Sequence, residues 1–120
     1  MGLNKYIDHT LLKPTAFEKD IIKICNEATE YHFASVCVNP CNVSLVRKEL
    51  KGSDVKVCSV ISFPFGASST EVKVEEAKKA IEAGAEEIDM VINISDVKNG
   101  DFDKVSQEIS LLKNAVDDKI

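Results

Sequence analysis

The sequence predicts an α/β fold in which parallel strands with covering helices form the (β/α)4 half of a TIM-type (β/α)8 barrel. Short β-rich runs alternate along the chain with capped amphipathic helical segments, which is the pattern of parallel βαβ units. The repeats average about 30 residues, the size of one such unit. A full (β/α)8 barrel takes about 250 residues, so a chain of 120 residues corresponds to about half of one.

The first two strand–helix units occupy the first half of the chain. A strand is predicted at residues 6–12, and after Pro14 the residues Thr15 and Glu18 have the spacing of a helix capping box. The side chains expected on the buried face of that helix are Phe17, Ile21, Ile24 and Ala28. The second strand is predicted at residues 34–39, with Pro40 in the first turn of the next helix and Gly52 at its C-terminal end.

The last two units follow the same plan. The third strand is predicted at residues 55–61, and a longer loop at residues 62–67 leads to a second capping box formed by Ser68 and Glu71. An alanine-rich helix then runs to Gly84, and the fourth strand covers residues 87–92. After a turn at residues 99–100, a final helix is expected to bury one face, made of Phe102, Val105, Ile109 and Leu112.

Composition and charge limit the classes of function. The formal net charge is -5 and the lysines are interleaved with acids, so no basic stripe for a nucleic acid is visible. No apolar run approaches the roughly 18 residues of a membrane helix, and the N-terminus resembles neither a signal peptide nor a myristoylation site. Residues 1–120 are therefore predicted to form a single cytoplasmic domain with reduced cysteines and no zinc or disulfide.

Asp89 is the strongest candidate for a catalytic residue, because it interrupts the apolar fourth strand. Strand side chains alternate between two faces, so the apolar residues Ile88, Met90 and Ile92 would contact the helices, with Asp89 on the other face. A carboxylate buried in a parallel sheet loses hydration, and such groups concentrate at functional sites. The alternative is a structural carboxylate that is hydrogen-bonded to a neighbouring strand or lysine.

The first two strands also carry one face that is small or polar. In the first strand Asp8 and Thr10 share a face, and in the second strand Cys37 lies opposite the valines. The third strand does not divide clearly, so its faces stay unassigned. Asp8 is equally compatible with a local structural role, and Cys37 with a core thiol. His9 and His32 are interpreted as structural, and Lys13 and Lys56 as solvated.

Four segments resemble the N-terminal half of a bacterial-type deoxyribose-phosphate aldolase. They are YIDHTLLKP (residues 6–14), SVCVNP (35–40), FPFGA (63–67) and GAEEIDMVIN (84–93), in the order and at the spacing of that family. Together they span nearly the whole chain. Ser62 and Ser95 stand where the family pattern leads us to expect glycine.

The resemblance implies a class I aldolase, in which a lysine forms a Schiff base with acetaldehyde and the derived enamine attacks glyceraldehyde 3-phosphate to give 2-deoxyribose 5-phosphate. It implies that no metal or other cofactor takes part. It also implies that Asp89 is the acid/base residue, that Cys37 lines the substrate pocket, and that Asp8 and Thr10 lie near that pocket. The family's Schiff-base lysine, its partner lysine and its phosphate-binding loops lie on later strands, so we expect these 120 residues to be inactive alone.

Two alternatives remain open at this point. The chain could be a non-catalytic half-barrel that self-associates, since an isolated half-barrel leaves a sheet face and two strand edges uncovered; we therefore expect a homodimer or a higher homo-oligomer. It could also be a complete flavodoxin-like binding protein. That fold would call for a phosphate-binding glycine loop, and Gly66 alone does not make one.

Overall fold

The computed structural model describes residues 2–117 and confirms the predicted fold class. The described residues form one parallel sheet with the strand order β1-β2-β3-β4, built from Asp8–Leu11, Ser35–Val38, Lys56–Ile61 and Glu87–Met90. The α-helices are α1 (Glu18–Tyr31), α2 (Val43–Glu49), α3 (Thr70–Ala83), α4 (Ile94–Lys98) and α5 (Phe102–Ala115). Short 3-10 helices occupy Leu3–Tyr6 and Pro40–Asn42.

The main core lies between the helices and one face of the sheet. Apolar side chains of α1, α2, α3 and α5 pack there against Val36, Val38, Val57, Ile61 and Ile88. The other face, called the open face below, holds a small separate cluster of Cys37, Cys58 and Val60 with Leu12 against it.

Strands in sequential order with helices on one face are half of a barrel. A doubly wound flavodoxin-like sheet would have a shuffled strand order and helices on both faces, so that alternative is wrong.

The register of the strands assigns the two faces of β3, which the sequence did not divide. Cys37 is paired with both Thr10 and Cys58, and Cys58 is paired in turn with Glu87. Side chains directly opposite each other share a face, so Cys58 and Val60 belong to the open face. Val57, Ser59 and Ile61 point towards the helices.

Both predicted capping boxes are wrong. Helix α1 begins three residues later than Thr15, and the Asp20 carboxylate accepts a hydrogen bond of 2.9 Å from the backbone N–H of Phe17. At α3 the hydroxyl of Ser69, not Ser68, accepts from the N–H of Val72. Before α3, Ser68, Ser69 and Thr70 are adjacent, so the spacing rule has more than one solution there. At α1 the N-cap position is Phe17, which has no capping side chain, so the spacing rule does not find the start of this helix.

The C-terminal helices also differ from the prediction. The short helix α4 was not predicted; the side chain of Asn93 accepts a hydrogen bond of 3.1 Å from the N–H of Asp96 and caps it. In α5 the expected apolar face is only partly buried: Leu112 is buried, whereas Phe102 is 64% exposed and Ile109 is 37% exposed.

No helix in residues 2–117 has the length and apolar character needed to cross a membrane.

A polar network closes the sheet at the amino ends of the strands. The side-chain amide of Asn4 donates to the backbone carbonyls of Tyr31 and His32 at the end of α1, both at 3.0 Å. Asp54, in the loop before β3, pairs with Lys5 and lies 3.3 Å from the His32 ring nitrogen. The hydrogen bond from Lys5, followed by that from His32, lowers the pKa of Asp54 to about 2.

We predict that the Asp54 network stabilises the protein in a pH-dependent way. The pKa of Asp54 is lowered from 3.8 to about 2 in the folded chain, so its contribution is fully present above pH 3.8 and disappears as the pH falls through about 2. In urea denaturation, Asp54→Asn should therefore lower stability at pH 6 and have little effect near pH 2. The exposed Asp103→Asn is the matched control; identical pH profiles for the two variants would contradict the prediction.

Candidate active site

Asp89 lies on the open face at the carboxyl end of β4. Its strand neighbour is Val60 of β3, and its flanking residues Ile88 and Met90 belong to or pack against the main core on the opposite face. The predicted division of β4 into two faces is thus confirmed. The predicted burial is wrong, because Asp89 is exposed: in the described residues nothing covers the open face above it. Functional groups of (β/α)8 barrels project from this end of the strands.

Thr10 and Cys37 are brought together one layer below Asp89. Side chains two residues apart on a strand lie about 7 Å apart, so Asp89 stands roughly that distance above the row Thr10, Cys37, Cys58 and Glu87. Sequence reasoning missed Cys58 in this row, because β3 could not be divided into faces, and only the in-register pairing with β2 and β4 assigns it. Glu87 was also missed, although the alternation of β4 alone puts it on the face of Asp89.

The row below Asp89 has a distinct electrostatic character. A hydrogen bond with the Cys37 thiol raises the pKa of Cys58 well above its usual range, and burial acts in the same direction. The charges of Asp89 and Glu87 also raise it, so both carboxylates lie close enough to influence Cys58. Cys58 is therefore a protonated thiol, unsuited to act as a nucleophile.

Asp8 lies a further layer down, at the amino end of β1. Its carboxylate accepts a hydrogen bond of 2.7 Å from the hydroxyl of Ser35, which is its direct neighbour in the sheet. The carboxylate is thus held by a residue of the neighbouring strand and not by the adjacent residues that the local structural alternative called for. The structure thus separates Asp8 from Asp89 by two layers of the open face.

The loop after β3 forms one wall of a cavity of about 410 Å³ next to the open face. The cavity is lined by Asn39, Pro40, Val60, Ser62, Phe63, Phe65, Ala67, Ser68 and Glu76. Ser62 has a φ of +54°, in the left-handed region where glycine is most easily accommodated, which explains why we expected glycine there. Its N–H donates to the Glu76 carboxylate at 2.6 Å, which holds this conformation.

Gly66 connects this loop to the end of β4. Its φ is +64°, and a Cβ atom at this position would lie 2.0 Å from the carbonyl oxygen of Ile92 and 2.9 Å from a methyl group of Val91. Only glycine permits so close an approach. The loop is therefore packed directly against the segment that follows Asp89.

The positions of the lysines and histidines matter for covalent chemistry. Lys13 and Lys56 are exposed, as predicted. Lys73 was not considered from the sequence; it is fully buried and paired with Glu108. His9 packs between β1 and α1 beside Phe33 and 3.6 Å from Glu27, on the helix side of the sheet. Among residues 2–117 no cluster of His, Cys, Asp and Glu is arranged to hold a metal ion.

Sequential parallel strands, helices on one face and polar side chains on the other define half of a (β/α)8-barrel scaffold. The chain belongs to the DeoC/LacD family of aldolases, whose family profile matches residues 3–118.

The relatives agree with this assignment. Deoxyribose-phosphate aldolase from Treponema denticola is 81% identical over 119 residues, which cover 99% of this chain and 55% of that protein. A solved structure of a related protein from Coccidioides immitis matches with a TM-score of 0.94 at 42% identity, covering 98% of this chain and 47% of the other. The tetrameric deoxyribose phosphate aldolase from Aeropyrum pernix matches with a TM-score of 0.80 at 36% identity, covering 95% and 49%. The chain thus spans about half the length of the relatives that it matches.

We predict that Gly66→Ala is far more damaging than the same change at Gly52. Both glycines have positive φ, but a Cβ at Gly52 would meet nothing within 4 Å. Gly52→Ala should cost about 1 kcal/mol for its backbone conformation. Gly66→Ala should cost about 3 kcal/mol or more, because the backbone of Ile92 must move as well. Urea denaturation of both variants measures the difference, and equal losses would show that the close approach is unimportant.

Proposed function

We propose that this chain supplies the β1–β4 half of a deoxyribose-phosphate aldolase site, with Asp89 as its acid/base residue. The reaction joins acetaldehyde and glyceraldehyde 3-phosphate, reversibly, to 2-deoxyribose 5-phosphate through a lysine Schiff base. The observation that carries the proposal is the position of Asp89: a carboxylate at the carboxyl end of a barrel strand, on the face away from the helices.

Asp89 would move protons at the substrate carbon next to the Schiff base. As a carboxylate it accepts a proton from the iminium form, which leaves the enamine; as a carboxylic acid it returns a proton in the reverse direction. Cys37 and Thr10, one layer below, would line the floor of the pocket beneath the reacting carbon. Asp8 is proposed to support that floor through Ser35.

The nucleophilic lysine is proposed to come from outside these 120 residues. A Schiff-base lysine must be uncharged in part and close to the acid/base group. Lys56 is exposed at the opposite end of its strand, and the ammonium of Lys73 lies 2.6 Å from a carboxylate on the helix side of the sheet. We therefore propose that the chain alone lacks aldolase activity.

We predict that trapping with borohydride separates the isolated chain from the completed barrel. After incubation with acetaldehyde and borohydride, mass spectrometry of this chain should show no stoichiometric reduced adduct at any single lysine. A fusion to the segment of the Treponema denticola relative that this chain does not match should acquire such an adduct, on a lysine of the added segment. A stoichiometric adduct on the isolated chain would refute the proposed inactivity.

The same fusion tests Asp89. Asp89→Asn should reduce turnover by about 10²- to 10⁴-fold, the usual contribution of a positioned acid/base group. Asp103→Asn, an exposed carboxylate on α5, is the matched control and should retain activity. Equal turnover of the two variants would remove Asp89 from the proposed mechanism.

We also propose that the isolated chain self-associates as a homodimer or a higher homo-oligomer. In the described residues β1 and β4 each have a neighbouring strand on one side only, and the partly buried apolar side chain of Leu12 lies on the open face. Unpaired edges and an uncovered sheet face favour association.

We predict that light scattering after size-exclusion chromatography gives a mass at least twice that of one chain at micromolar concentration. Association through paired edges and faces should weaken on dilution, so a concentration series is the control. A folded monomer throughout the series would contradict the proposal.

A further inference from the structure

The helix side of the sheet contains one buried ion pair, within the residues that the structure describes. Lys73 of α3 is 0% exposed and its ammonium lies 2.6 Å from the Glu108 carboxylate of α5. The other oxygen of Glu108 accepts a hydrogen bond of 2.7 Å from the Thr70 hydroxyl. The ammonium also donates, at 2.9 Å, to the backbone carbonyl of Val91.

An ion pair at this place needs an explanation other than stability. Removing two charges from water costs several kcal/mol for each ion, and well-packed apolar residues of similar volume are often as stabilising. The neighbouring buried positions of α3, Ala77 and Ala80, are apolar. What an apolar side chain could not provide at position 73 is a hydrogen bond to the Val91 carbonyl.

Val91 begins the segment that follows β4, and each of the residues from Val91 to Asn93 has a separate contact. Lys73 binds the carbonyl of Val91, the Cα of Gly66 packs against the carbonyl of Ile92, and Asn93 caps α4. Strand β4 ends at Met90, so these contacts replace the regular sheet bonds just beyond Asp89. The backbone N–H of Val91 still donates to Ile61 at 3.1 Å, which continues the alignment with β3.

We propose that Lys73 is a positioning residue that fixes the end of β4 through the Val91 carbonyl and thereby sets the direction of the Asp89 side chain. Glu108 and Thr70 hold the ammonium in place. The catalytic value of this positioning rests on the proposed function of Asp89. The claim that Lys73 fixes the end of β4 does not depend on it and is tested without a catalytic assay.

Amide hydrogen exchange of this chain, followed residue by residue by NMR, tests the positioning role. In Lys73→Met with Glu108→Leu, an apolar pair replaces the ion pair. Exchange at Val91, whose N–H donates to Ile61, should accelerate by about 10-fold or more beyond the global change, the effect of losing a hydrogen bond to a charged group. The amide shifts of residues 89–93 should move, whereas those of β1 and β2 should not.

Ile21→Val is the matched control. Ile21 is buried in the main core but belongs to α1, which contributes no contact to residues 91–93 in the arrangement described above. It should change exchange uniformly, according to its effect on global stability. Thr70→Val is a milder second variant that removes one hydrogen bond from Glu108 and should give the same local pattern at smaller amplitude. Uniform acceleration in the double variant and in Thr70→Val would overturn the proposal.

The catalytic role of Asp89 and the positioning role of Lys73 can be tested separately. If exchange at Val91 responds as expected but Asp89→Asn leaves turnover of the fusion unchanged, the positioning of the strand end holds and the role of Asp89 falls. If Asp89→Asn abolishes turnover but exchange is uniform, the catalytic proposal holds and that of Lys73 falls.

Discussion

The backbone hydrogen bonds between β2 and β3 place Val36 beside Val57 and Cys37 beside Cys58. This single register separates the residues of the sheet into an apolar face under the helices and a polar face opposite them. A slip by one residue would exchange the two sets, which would turn the valines to the open face and the thiols and acids towards the helices. The side-chain alternation of the strands therefore fixes both where the core forms and where chemistry can take place.

The polar face has a vertical order that follows from the same register. Asp8 is at the amino end, Thr10 and Cys37 share the middle row with Cys58 and Glu87, and Asp89 is uppermost. The buried thiols of Cys37 and Cys58 lie in the row below the exposed carboxylate of Asp89. The carboxylates of Asp8, Glu87 and Asp89 make this face acidic, which favours a cationic group beside it.

The end of β4 depends on contacts from outside the sheet. The loop after β3 reaches it through Gly66, and α3 reaches it through Lys73. Because β4 is an edge strand in the described chain, its upper end has no further strand to align it. The helix layer thus does more than cover apolar surface, since it also sets the geometry of the segment that carries Asp89.

The sequence by itself determined the fold class, the order of the strands and helices, and the division of β1, β2 and β4 into two faces, because these follow from local periodicity. It also identified Asp89, whose charge stands out in an apolar strand. It did not determine the starts of α1 and α3, since α1 begins after Phe17, which has no capping side chain, and α3 is preceded by adjacent serines that could each cap it. It placed Phe102 on a buried face that the structure leaves largely exposed.

Only the tertiary structure decided the remaining features, because they join residues far apart in the chain. Lys73 meets Glu108 and Val91 across three separate elements, and no local pattern marks a lysine on a charged helix as buried. The assignment of Cys58 to the open face follows only from the pairing of β3 with the strands on both sides. Asp89 proved exposed, although its apolar neighbours in sequence suggested burial, because burial depends on what covers a face and alternation determines only which face a residue is on.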